Sequence, residues 1–128
     1  MKTRTEALLL RLTGAVTMLP LLQLVAPGPL LQAQGLAVTG EAALFFARHW
    51  GLMAACVGGL ILLAASRPAL RRPVLAAALI EKSGLVCLVL AGGAALQPLW
   101  PAAAFDAACV LLYAALLAQD GRKPSTDR

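Results

Sequence analysis

The sequence predicts an all-α integral membrane protein, a four-helix bundle with both termini in the cytoplasm. Three observations predict it. The 128 residues are 60% hydrophobic and 13% charged, against about half and about a quarter in soluble domains, and the mean hydropathy is +0.80. The apolar residues gather into four segments, each long enough at ~1.5 Å per residue to cross ~30 Å of hydrocarbon. The basic residues collect at alternate segment ends rather than on one solvated stripe.

The first segment runs from about Glu6 to Val25 and ends at the breaker Ala26-Pro27-Gly28-Pro29. Pro20 lies inside it and should kink it, because proline removes a helical N–H and crowds the preceding turn. Met1-Lys2-Thr3-Arg4 ahead of an apolar run also resembles a secretory signal, whose removal would leave three spans. Arg11 interrupts the apolar region and Leu31-Gln32-Ala33 is a poor cleavage site, so a retained helix is the reading taken. The second segment covers Glu41 to Ser66, bounded by Gly40 and Arg67-Pro68. The third starts at Pro73, read as a first-turn proline, and continues to about Leu96. The fourth runs from about Pro101 to Gln119, and a polar cytoplasmic tail follows from Asp120 to Arg128. Strands are excluded by the lack of period-2 alternation and by Ala and Leu where Val, Ile and Thr would stand. The whole chain is read as one transmembrane domain.

Orientation follows from the cations. Lys2, Arg4 and Arg11 lie before or early in the first segment, Arg67, Arg71 and Arg72 join the second to the third, and Arg122, Lys123 and Arg128 follow the fourth. The connections 26–40 and 97–100 contain no Lys or Arg. The positive-inside rule then puts both termini inside, which requires an even number of spans. The formal charge of +5 thus reads as an orientation signal, and a nucleic-acid partner is excluded because a basic stripe and stacking aromatics are both missing.

Few residues can carry chemistry. Cys56, Cys87 and Cys109 each stand alone in apolar surroundings, without CxxC or Cys/His spacing, and read as small packing residues. No metal site and no cofactor is expected. Nor is there a phosphate-binding loop or a hydrolase elbow. The ionisable residues inside the segments are Arg11, Arg48, His49, Glu81, Lys82 and Asp106, and such residues usually face protein rather than lipid. Counted from the segment ends, Arg48 and His49 lie roughly 10–12 Å below the outer face and Asp106 roughly 7–8 Å, while Glu81 and Lys82 lie roughly 12–14 Å above the inner face. These depths predict an Arg48–Asp106 pair, with His49–Asp106 as the alternative, and let Glu81 meet Arg11. Lys82 is expected to snorkel or pair structurally. Gly51, Ala55 and Gly59, with Arg48 on their face, and Glu81, Gly84, Leu88 and Gly92 form small-residue stripes where helices could approach closely. Asp106, Cys109, Val110 and Tyr113 share a face of the fourth segment. For Arg48, His49, Glu81 and Asp106, packing and structural pairing stand ahead of substrate or ligand contact.

The strings Phe45-Phe46-Ala47-Arg48-His49-Trp50-Gly51, Gly58–Ala65 and Ala78-Leu79-Ile80-Glu81-Lys82 around an Arg-rich turn resemble small bacterial DoxX-like membrane proteins over Glu41 to Tyr113. The resemblance implies a four-helix protein of a bacterial inner membrane, in a group some of whose members associate with quinone-linked or redox membrane systems. The expected function is a non-enzymatic accessory subunit or lipophile-binding bundle, with the lipid bilayer, a larger membrane complex or a homo-oligomer, and a lipophilic ligand as partners. Two alternatives remain: a proton-coupled transporter working as an oligomer through Glu81 or Asp106, and an intramembrane enzyme on a lipid or quinone using His49, Glu81 and Asp106 as acid and base.

Overall fold

The computed structural model describes residues 2–121. The expected tail beyond Gly121, including Arg122, Lys123 and Arg128, lies outside the described residues, as does the side chain of Lys2. The described chain is helical, with α1 Lys2–Thr17, a 3-10 turn Leu19–Leu21, α2 Leu22–Val25, α3 Pro27–Ala33, α4 Glu41–Ser66, α5 Pro68–Ala91, a 3-10 stretch Gly93–Leu99 and α6 Trp100–Asp120. There is no strand among the described residues. Four helical stretches, Arg4–Val25, Glu41–Ser66, Pro68–Ala91 and Gly93–Asp120, are long and apolar enough to cross a membrane. The chain divides into two compact units, Met1–Pro68 and Ala69–Arg128.

In the first unit, Pro20 breaks the first span as expected: α1 stops at Thr17 and the chain passes Pro20 as a 3-10 turn before resuming as α2. Proline at 20 offers no N–H to the turn before it, so the α-helical ladder cannot run through. Two hydroxyls of α1 are satisfied within the helix, Thr13 donating to the Leu9 carbonyl at 2.9 Å and Thr17 to the Thr13 carbonyl at 2.8 Å. The Pro-Gly-Pro string is not only a breaker, since it opens the short helix α3. Pro27 and Pro29 fall in its first turn, where the N–H has no partner to lose. α3 ends in a Schellman motif: Gly35, at φ +83°, donates to Gln32 and Leu36 donates to Leu31, both at 2.9 Å.

α1 packs on α4 through glycine. A Cβ on Gly58 would stand 2.6 Å from the Gly14 carbonyl oxygen, and one on Gly14 would stand 3.0 Å from the Gly58 oxygen. Further along, the Pro20 carbonyl occupies the place a Gly51 side chain would take. The buried stripe of α4 is Gly51, Ala54, Ala55, Gly58, Ile61 and Ala64. This corrects the expected stripe at its end: Gly59 faces open space, and Arg48 is exposed. The helical phase follows 51, 54, 58 and 61, which a count in steps of four misses by a residue.

α5, which carries the chain into the second unit, begins at Pro68, two residues after α4 ends, and runs through Pro73. Arg67 between them is extended, as a residue before proline prefers. Leu75, Ala78, Lys82 and Val89 form the buried face of α5, and Ala103, Asp106, Cys109, Tyr113 and Leu116 that of α6. The expected stripe on the third span is therefore not the buried face: a Cβ at Gly84 meets nothing within 4 Å and Leu88 is exposed, while Glu81 lies at the edge of the buried face. α5 and α6 run antiparallel, because Arg71 meets Asp120 while Lys82 meets Asp106. Large apolar side chains such as Ile80, Leu88, Leu90 and Leu111 lie exposed on both helices, an outer surface suited to hydrocarbon rather than water.

Candidate functional site

The buried face of α5 places a lysine where its neighbours in the pattern are Leu, Ala and Val. Lys82 is only 2% exposed, and Asp106 on α6 is 5% exposed. The Lys82 ammonium donates to Asp106 Oδ1 at 2.6 Å. A charge in such surroundings persists only when paired, since burial of an isolated ion is heavily penalised. The ammonium also sits 5.4 Å from the centroid of the Phe105 ring, within cation–π range.

Glu81 precedes Lys82, about 100° round the helix, so it flanks the pair from the edge of the face. Its side chain is 32% exposed, and Oε2 lies 3.9 Å from the Lys82 ammonium. That oxygen is buried without a hydrogen-bond partner. Cys109 and Tyr113 continue the α6 face one and two turns beyond Asp106, both fully buried. The cluster therefore holds two carboxylates around one ammonium, with a thiol and a phenol beside them. A second pair joins the same helices at their other ends, Arg71 Nε lying 3.5 Å from Asp120 Oδ2 in partly exposed surroundings.

Of the four residues singled out from sequence, Glu81 and Asp106 come together, and Lys82 is what joins them. Asp106 was expected to meet Arg48 or His49, and Glu81 to meet Arg11; both carboxylates gather around Lys82 instead. The reason lies in helix register. The expected third segment starts at Pro73, but α5 starts at Pro68, five residues earlier, about 7 Å along the axis. It also stops at Ala91 rather than Leu96. Lys82 thus stands nine residues from the end of α5 that faces the start of α6, and Asp106 six residues from that start.

Arg48 and His49 lie exposed on α4 in the first unit. His49 stacks on Phe45, with ring centroids 6.3 Å apart and planes 3° from parallel, and Phe45 meets Phe46 edge to face at 5.5 Å. Arg11 is exposed on α1. Gln23 was passed over in sequence: it is 2% exposed, and its Oε1 has no hydrogen-bond partner. A lone amide in Leu-Leu-Gln-Leu-Val was the available signal, since such a group in hydrocarbon must turn inward.

Among the described residues no group of three or more His, Cys, Asp or Glu side chains is placed to hold a metal ion. An open groove of about 570 Å³ lies in the first unit, lined by residues of α3 and the segment after it, including Gln32, Leu36 and Thr39. It carries no ionisable side chain and belongs to a different unit from the charged cluster. Comparison with protein-family models, with curated proteins and with solved structures finds no match.

Proposed function

We propose that this chain is a multi-pass protein of a bacterial inner membrane, with both termini cytoplasmic, serving as a non-enzymatic membrane component: an accessory subunit or lipophile-binding helical bundle. The observation that carries the reading is the closure of the Lys82–Asp106 pair. Both residues are at least 95% buried and engaged with each other, so neither offers a free group to a reactant. Such a pair joins two helices and fixes their register, a role for which intramembrane charges are suited when fully partnered. The orientation rests on the cations at 67, 71 and 72 and on the cation-free connections. The DoxX-like assignment belongs to the same reading and rests on the strings at Phe45–Gly51 and Ala78–Lys82.

Extraction of native membranes in mild detergent, followed by mass spectrometry of bound chains and small molecules, tests this role. A stoichiometric partner chain or a retained lipophile is expected. A ligand-free, solitary monomer would contradict it.

One observation favours a second reading, a proton-coupled transporter working as an oligomer. Glu81 is the accessible member of the cluster and the surplus carboxylate in its charge balance. In that case Glu81→Gln abolishes pH-gradient-driven flux in vesicles while leaving the protein assembled. The intramembrane enzyme has less support, because Asp106 is already held by Lys82.

A further inference from the structure

We propose that the N-terminal part of α4 binds a phosphate-bearing membrane lipid, with Arg48 and His49 holding the phosphate and the exposed apolar strip below them seating an acyl chain. The inference uses the orientation proposed above only to name this end of α4 as the outer one; the site stands whether or not the accessory role does.

Arg48 is exposed on a helix that crosses a membrane by length and composition, and it has no ion-pair partner among the described residues. A guanidinium cannot rest unpaired in hydrocarbon, so it must reach interfacial water or an anion. Its height says which. Arg48 and Arg67 are nineteen residues apart on or at the end of one continuous helix, about 28 Å, which matches the ~30 Å hydrocarbon thickness. With Arg67 at the inner edge of the hydrocarbon, the Arg48 Cα comes to its outer edge rather than the depth of roughly 10–12 Å expected from the segment end, and its side chain can snorkel to the phosphates beyond. The surrounding Phe45, Phe46, His49 and Trp50 have the character of an interfacial aromatic belt.

The rest of the surface fits the same occupant. His49, next to Arg48 in sequence and with its ring stacked on Phe45, can supply a second N–H donor to a phosphate. Below them Leu52, Met53 and Leu60 are exposed along the helix. Leu60 lies twelve residues from Arg48, about 18 Å, close to the depth of one leaflet. A second copy of this chain is a poorer fit. Asp106 is engaged by Lys82, and Glu6 lies toward the other end of the α1–α4 pair, whose register is set by Gly14 against Gly58 and Pro20 against Gly51. Glu41 stands about 10 Å higher on α4 itself.

The test is photolabelling of the purified full chain in detergent with phosphatidylglycerol carrying a diazirine in its acyl chain, mapped by mass spectrometry. Labelling of residues 49–60 is expected. Arg48→Gln should reduce it about ten-fold, the loss of one charge-assisted hydrogen bond, and Arg48→Lys should recover most of it. Photoreactive diacylglycerol, which lacks the phosphate, should label as weakly as Arg48→Gln. Equal labelling of wild type and Arg48→Gln overturns the proposal. Displacement by inorganic phosphate would assign the site to a free anion instead of a lipid. A cross-link between two copies through Arg48→Cys, with wild-type labelling absent, would assign the surface to a homodimer.

Discussion

Lys82 of α5 donates to Asp106 of α6 across 2.6 Å, with both side chains withdrawn from the surface. Apart from the Glu81 carboxylate 3.9 Å from the ammonium, the surroundings are apolar or weakly polar, so the energetics of the pair follow largely from burial. The Coulombic attraction is strong in low dielectric, and it offsets a desolvation penalty of similar size. The pair is therefore a device for specificity. It makes one register of α5 on α6 acceptable, since a slip of a turn would leave two buried charges without partners.

The partly exposed pair at the other end of these helices should behave differently. Asp120→Asn removes the Arg71 contact at 3.5 Å where solvent and head groups screen it. The expected loss is under about 1 kcal/mol, measured by thermal or denaturant unfolding in detergent. A loss of several kcal/mol would show that this end is more deeply sequestered than its exposure indicates.

The glycines of α4 separate by the same kind of measurement. Gly58→Leu drives a side chain into the Gly14 backbone and should destabilise the first unit by about 1–3 kcal/mol. Gly59→Ala meets open space and should be neutral or slightly stabilising, because alanine is the better helix former. Equal effects at the two positions would remove the α1–α4 contact from the account.

The three thiols offer a check on side-chain placement. Cys56 and Cys87 are exposed and Cys109 is buried. In detergent solution, N-ethylmaleimide should modify the first two well before the third, as followed by intact mass and peptide mapping. Early modification of Cys109 would mean that the α6 face bearing Asp106 and Tyr113 is open.

Orientation has its own test. In a cysteine-free background, single cysteines at the exposed positions Gln34 and Gln97 should react with an impermeant maleimide added outside intact spheroplasts. A cysteine at Ala69 should react only after lysis. The reverse pattern would overturn the N-in/C-in assignment drawn from the positive-inside rule.

Much of the fold was legible in the residue pattern. Both ends of α4 carry clear stops, Gly40 before Glu41 and Arg67-Pro68 after Ser66, and the helix occupies that interval. The break at Pro20 was legible because a missing N–H acts locally. α5 was not delimited correctly, because Pro68 and Pro73 are both plausible first-turn prolines and only packing decides between them. α3 was missed for a related reason: Pro-Gly-Pro is compatible with a turn and with the first turn of a helix. The site suffered from these boundary errors. Glu81 and Asp106 were recognisable as carboxylates in apolar segments, but pairing depends on depth, and a five-residue error in one helix start exchanged Lys82 for Arg48. The phase of Lys82, four residues after Ala78 and seven before Val89 on a face that turned out buried, was the overlooked signal.

The most direct test of the central claim is a double-mutant cycle on Lys82 and Asp106. Unfolding free energies in detergent would be compared for wild type, Lys82→Met, Asp106→Leu and the double variant. Each single change strands a buried charge and should cost about 3–5 kcal/mol, whereas the double variant should return close to wild-type stability. Additive losses, with the double variant as unstable as the two single changes together, would contradict the buried Lys82–Asp106 pair on which this account rests.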